Sequence, residues 1–472
     1  MTRSATIALV TALSLLPVAL AARDSLSELT DNALVQPARL RNTAKSPATI
    51  EVSLVAEAAR ISLVPGKQSD VFAYNGTIPG PTLEVREGDR VIVNFENRLT
   101  VATTVHWHGL HIPFDSDGSP FHPVEPGQKR VYSFTLRPGS AGTYWYHPHP
   151  NHSTGVQVAK GLYGAIIVRA PDDPLPQSIS EKLIVLSDNR FADDGSIDLA
   201  ERGSHQALID EENGREGNVL LVNGQVMPTL AIRSGEVQRW RVINASASRV
   251  FRLEIPGHRM LHVGNDGGLF EKPVEVNEIT IANGERIELL VRGTGKPGDR
   301  VTLRTLPYDR YINQTRPKDW ETTRDLLSLQ YSTEPAIAPV KLPATLRAIP
   351  ALDTTLSSVT RVVTLSQGMI NGKMMDMNRI DFTAKLDATE IWQIENIVGM
   401  DHPFHLHGYQ FQVIDRNGVP EPFRSWKDMV NVPKHETARI VVRFANYPGK
   451  WMFHCHILDH EDHGMMGILE VK

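Results

Sequence analysis

The chain has 472 residues, more than one compact domain usually holds, and 49 Lys and Arg against 54 Asp and Glu leave a formal charge of −5. That mild acidity, with no basic run, excludes the electrostatic footprint of a nucleic-acid binder. Its 34 glycines and 31 prolines, alongside abundant Val, Ile and Thr and few long amphipathic patterns, predict a mostly β chain with many turns.

The first residues read as an address. Arg3 precedes an apolar run from Ala5 to Leu20, and Ala19-Leu20-Ala21 has the small-x-small form of a cleavage site. Residues 1–21 are expected to be a cleaved secretory signal, of the general type because no Arg-Arg pair is present, so that the mature protein starts near Ala22 and works in the periplasm or outside the cell. The run is short for a membrane span, and no later stretch is long and apolar enough to be one. In an oxidising compartment the single cysteine, Cys455, has no internal disulfide partner, and a metal would protect it.

Strand-like alternation begins near Ile50 and reaches the turn Asn75-Gly76, followed by Val91-Ile92-Val93-Asn94-Phe95-Glu96-Asn97. The pattern returns at Asn223-Gly224 with Trp240-Arg241-Val242-Ile243-Asn244, and at Asn371-Gly372 with Trp392-Gln393-Ile394-Glu395-Asn396. The Asn-Gly pairs are 148 residues apart both times. Asn-Gly between alternating apolar runs is a turn signal, and three at equal spacing argue for a tandem repeat. The Pro-rich stretches 170–176 and 334–350 fit as linkers. The chain therefore divides into units at 22–170, 171–335 and 336–472, each of ordinary domain size and each expected to be a β-sandwich.

The histidines fall in register with this repeat. Nine and eleven residues after Asn97 stand His106 and His108; the same offsets after Asn396 give His405 and His407, and after Asn244 they give Leu253 and Ile255. The terminal units thus carry metal-facing pairs where the middle unit carries core residues. A second pair, His147 and His149, appears later in the first unit, and its counterpart in the third is His454 and His456. In a strand, alternate side chains share a face, so each His-x-His pair presents two imidazoles together while Cys455 points the other way from its neighbours. Eight histidines exceed the four ligands of a structural zinc site and suit three copper ions between two domains. A thiolate, imidazoles and a weak thioether, as supplied by Cys455, His460 and Met465 with one histidine from elsewhere, are the ligand set of a blue copper site.

The segments His106-Trp-His-Gly109, His147-Pro-His149, His402-Pro-Phe-His-Leu-His-Gly408 and His454-Cys-His-x3-His-x3-Gly-Met465 resemble the four copper motifs of the multicopper oxidases. The chain is similar to their compact three-domain bacterial laccases and copper-efflux oxidases. The resemblance implies three tandem cupredoxin-like Greek-key β-sandwich domains and four copper ions. It implies a type 1 copper on His402, Cys455, His460 and axial Met465, and a type 2 copper on His106 and His405. It further implies one type 3 copper on His108, His147 and His456 and another on His149, His407 and His454, with Asp117 and Glu461 delivering protons. Asn151 stands where many relatives have a further histidine, a position that is not a ligand.

The implied activity couples one-electron oxidation of a phenolic, aromatic or metal-ion substrate to reduction of dioxygen to water. Electrons are expected to enter through an exposed edge of His402 or His460. A cuprous oxidase is the alternative, since nine of the twelve methionines lie from Met369 onward, although the group Met374, Met375 and Met377 follows a repeated turn and is better read as packing. Asp401, beside His402, could contact substrate or cap a turn. A non-catalytic three-domain scaffold would have lost copper ligands, and a single-domain blue copper carrier would need no His-x-His pairs. Partners are dioxygen and small aromatic reductants or Cu(I), with no nucleic acid and no membrane span, and a monomer is the expected state.

Overall fold

The computed structural model describes residues 32–472 apart from 312–315, 317–319, 339 and 358. The expected signal peptide lies outside these residues. Among the described residues the strands fold into six sheets, two per unit: 4 and 4 strands in the first, 6 and 5 in the second, 6 and 5 in the third. The described helices include α1 (Thr154–Ala159), α2 (His205–Asn213) and α3 (Leu458–Asp462). Among the described residues no helix is long and apolar enough to cross a membrane.

Each unit is built by the same devices. A parallel pair lies at its heart: Thr49–Ile61 with Arg90–Asn97, Ser180–Asn189 with Val237–Asn244, and Thr360–Ser366 with Thr389–Asn396. Alternation sends Val91, Val93 and Phe95 into the first core, Trp240 and Val242 into the second, and Trp392 and Ile394 into the third. Full burial of each such side chain is worth about 1.5–3 kcal/mol. The three Asn-Gly turns hold left-handed backbone at both residues, with φ of 49° and 73°, 50° and 75°, and 52° and 69°. Asn and Gly tolerate this conformation where most residues would be strained. The turn asparagines then clasp the first strand of each parallel pair, their Oδ1 accepting from the backbone N–H of Val55, Val185 and Thr364.

The strand-ending asparagines are also equivalent. Asn97 Nδ2 donates to the carbonyls of Val101 and Val124, Asn244 Nδ2 to those of Arg249 and Ile281, and Asn396 Nδ2 to those of Met400 and Val432. Each adds hydrogen bonds to backbone oxygens around its strand end. The middle strand Val237–Asn244 is buried on both faces, polar residues included. Its outward Arg239 and Arg241 pack under the first unit, where Glu288 Oε1 accepts from both Arg241 Nη1 (2.6 Å) and Thr143 Oγ1 (2.7 Å). Burial would raise the Glu288 carboxyl, but the Arg239 and Arg241 guanidinium groups prevail and hold it at about 2.

Candidate metal centre

Strand pairing brings the histidine motifs together. In the first unit His106 lies opposite His147 in the antiparallel register, and in the third His405 lies opposite His454, with Phe404 opposite Cys455. Strand alternation then separates two sets of side chains. Cys455 faces its own domain core and meets His402 and His460, its Sγ lying 3.7 Å from His460 Nδ1. Backbone hydrogen bonds from Cys455 N to Met465 O (3.1 Å) and from Met465 N to His460 O (2.9 Å) set the buried Met465 beside them. Burial pushes the Cys455 thiol up, so a bound cation is what would make it a thiolate.

On the other face, all eight histidines of the four His-x-His pairs are buried between the first and third units. Their ligand atoms fall into overlapping groups: His106, His108 and His147; His106, His405 and His407; His149, His407 and His454. His456 closes the set, its ring centroid 4.9 Å from that of His108 and 5.6 Å from that of His147. Hydrogen bonds outside the cluster fix the tautomers. Nδ1 of His106 donates to Asp117 O (2.8 Å), of His147 to Pro148 O (2.9 Å), of His405 to Asp428 O (2.9 Å), of His407 to Asp117 Oδ2 (2.9 Å) and of His454 to Cys455 O (3.0 Å). His108 is reversed, its Nε2 donating to Asp428 Oδ1 (3.0 Å).

Each of these rings therefore turns a lone pair inward. His407 Nε2 and His454 Nε2 face each other at 3.0 Å, and His108 Nδ1 and His147 Nε2 at 3.3 Å. Two facing lone pairs repel unless a cation lies among them. Nε2 of His106, His405 and His456 is buried without any hydrogen-bond partner. Burial holds all eight rings below the usual histidine range, helped by neighbouring imidazoles at every one but His454, hence neutral, as metal ligands must be. The donor set, imidazoles around one centre and imidazole with thiolate at the other, fits copper.

The two expected carboxylates lie at the cluster. Asp117 bridges His106 and His407, and burial pushes it up to about 8. Glu461 lies 3.4 Å from both His149 Nε2 and His454 Nδ1, and burial raises it strongly.

One expectation fails. Neither His402 nor His460 offers an exposed edge, being 1% and 4% accessible. The cover is the middle-unit helix α2, whose Glu212 carbonyl accepts from His460 Nε2 (3.1 Å) while Arg215 N donates to Asp459 Oδ2 (2.7 Å). Asp401 is also buried, accepting from Tyr308 Oη (2.7 Å) and Lys434 N (3.0 Å), so it ties the middle and third units. Met375 packs against Met452 and Met466, while Met374 is 56% exposed.

Sequence reasoning passed over the middle unit's own contribution. Asn283 donates to the His456 carbonyl, and a Cβ on Gly284 would stand 3.1 Å from the His456 ring, so glycine is needed there. Leu253 and Ile255 are core residues as expected. The third-unit Asp428 also reaches His108 and His405, and the middle-unit Arg286 reaches Asp428. The only legible signal for the turn was its Asn-Gly pair, and that pair falls outside the 148-residue repeat.

Family models described as multicopper oxidase match residues 56–173, 187–332 and 348–472. Among curated relatives, the multicopper oxidase mco of Staphylococcus aureus is 32% identical, covering 94% of this chain and 92% of its own. The laccase of Bacillus subtilis is 28% identical over 85% and 90%, and the cell division protein FtsP of Escherichia coli 30% over 89% of each. The solved structure of a multicopper oxidase from Campylobacter jejuni, described as a metallo-oxidase, superposes with a TM-score of 0.85 at 33% identity, covering 94% of this chain and 96% of that one. With its copper-type ligand sets in place, the chain belongs to the multicopper oxidase family, as a laccase-like copper oxidoreductase that uses dioxygen.

Proposed function

We propose that the exported protein, cleaved after residue 21, acts as a monomer of three domains at 22–170, 171–335 and 336–472 and binds four copper ions. His402, Cys455, His460 and Met465 hold the type 1 ion, and His106 and His405 the type 2 ion. His108, His147 and His456 hold one type 3 ion, and His149, His407 and His454 the other. The observation that carries this reading is the facing of imidazole lone pairs at 3.0 and 3.3 Å with their outer nitrogens already committed. It also weighs against a non-catalytic scaffold, which has no reason to keep such a repulsive arrangement.

Bound copper supplies one-electron oxidation of the reductant and four-electron reduction of dioxygen to water. The protein's part is separation and proton supply. Cys455 lies between His454 and His456, so bonded backbone joins the two ligand sets. Asp117 Oδ2 stands against His407 and the Glu461 carboxyl beside His149 and His454, each positioned to hold a proton for the reduced oxygen.

Phenols and small aromatic amines are the broad reductant class. Oxidation of Cu(I) is the second reading, favoured by the burial of both type 1 histidines and by the exposed thioether of Met374 beside Gly464. Oxygen uptake by copper-loaded protein, with a phenol and with Cu(I) offered separately, tests both. Fast uptake with either one assigns the reductant; no uptake with either, at full copper loading, overturns the proposed activity.

A further inference from the structure

Arg286 opens the middle-unit strand Arg286–Arg292 and is completely buried. A guanidinium has five N–H donors, and all five are used here. Nη1 donates to Asp428 Oδ1 (2.8 Å) and Gly284 O (3.0 Å). Nη2 donates to Asp428 Oδ2 (2.5 Å) and Asp266 O (3.1 Å), and Nε to Thr143 O (3.2 Å). One side chain thus joins all three units. The space around the pair is closed: a Cβ on Gly109, the glycine of the His-Trp-His-Gly motif, would stand 2.5 Å from both Arg286 Nη2 and Asp428 Oδ2.

Asp428 in turn touches two cluster histidines through different atoms. Its Oδ1 accepts from His108 Nε2 and its backbone oxygen from His405 Nδ1. The nitrogens nearest its carboxylate, His108 Nε2 (3.0 Å) and His405 Nδ1 (3.7 Å), are the outer ones, so Asp428 stands behind both rings and not among the inward lone pairs. Without a cation partner this buried carboxylate would not hold that place as an anion, because an unpaired buried charge is costly.

We propose that Arg286 is a positioning residue of the dioxygen-reducing centre. By binding both oxygens of Asp428 it keeps that carboxylate charged and fixed as the acceptor for His108. His108 must then present Nδ1, the reverse of its five tautomer-fixed neighbours. The middle domain, without a ligand of its own, thereby sets which His108 nitrogen faces the cluster. This inference rests on the assignment of His108 and His405 to copper.

The test compares copper-loaded wild type, Arg286→Gln and the double variant Arg286→Gln/Asp428→Asn, by copper content, blue absorbance, electron paramagnetic resonance and oxygen uptake. In Arg286→Gln Asp428 is no longer held against His108 and His405, and the type 2 hyperfine pattern is expected to change. Turnover should fall about 10- to 100-fold, the usual cost of losing an outer-shell partner. Blue absorbance and the KM for reductant should stay at the wild-type value. The double variant, whose neutral amide needs no cation and still offers Oδ1 to His108 Nε2, should regain the wild-type pattern, which a merely structural role would not produce. An unchanged pattern in Arg286→Gln, or equal damage in single and double variants, overturns the inference. If Arg286→Gln does not fold, Arg286→Lys, with three donors in place of a planar fork, carries the same comparison with its own Asp428→Asn partner. Wild type with no type 2 signal would instead sink the copper assignment beneath it.

Discussion

The middle unit and the two terminal units share one scaffold and differ in what they place on it. All three have the Asn-Gly turn, the central parallel pair and the strand-ending asparagine that pairs two backbone carbonyls. At the ninth and eleventh positions after that asparagine the outer units carry histidines, while the middle one carries Leu253 and Ile255, fully in its core. Fold and chemistry are therefore separable here: asparagine side chains and apolar alternation make the domain, and exchanges on two strands of each outer unit gather the histidines. The middle unit keeps a different kind of influence, covering His460 with α2 and gripping Asp428 with Arg286.

The largest expected effect comes from cutting the link between the two ligand sets. Cys455→Ser should abolish blue absorbance and reductant-driven oxygen uptake, while copper analysis finds the histidine cluster still loaded. Equal loss of copper from both sets would mean that they are not separate sites. Next, writing a terminal-unit residue into the middle one should fail as chemistry and cost stability. Leu253→His removes a fully buried leucine and is expected to lower unfolding free energy by about 3–5 kcal/mol, with no gain in copper per chain. A chemical denaturation curve and metal analysis read both quantities.

A smaller effect separates the equivalent asparagines. Asn244→Ala and Asn396→Ala should each cost about 1–3 kcal/mol through their lost hydrogen bonds. Only Asn396→Ala should also shift the blue absorption band, because Asn396 Oδ1 lies 3.2 Å from His402 Nδ1. An identical spectrum for both would remove the asparagine from the type 1 surroundings. The smallest effect is one of pH, at the seam between the first and middle units. Glu288 is held at about 2, below its ordinary value of 4.5. Its contribution is fully present above the ordinary value and is lost as pH falls through the lower one. Thermal unfolding followed from neutral pH downward should show Tm falling across that window in wild type, and falling less steeply in Glu288→Gln.

Much of this was legible in the residues themselves. The 148-residue spacing, the paired histidines and the lone cysteine each follow local rules of turn, strand or ligand chemistry, and the fold brings those side chains into two sets. What stayed hidden was whatever depends on one domain packing against another. The cover over His460 comes from a helix about 250 positions earlier, inserted in the middle unit with no periodic signature. Arg286 and Asp428 are 142 residues apart and are ordinary charged residues until burial pairs them. His402 and His460 were expected at the surface because each motif was read within its own unit.

The central claim is that the buried lone pairs converge on copper. Anomalous diffraction at the copper edge, from crystals of metal-loaded protein, tests it most directly. The account predicts one peak among His402, Cys455 and His460 and three within the cluster of eight histidines. A chain that crystallises loaded at Cys455 alone, with no peak among His106, His108, His405 and their neighbours, would contradict it.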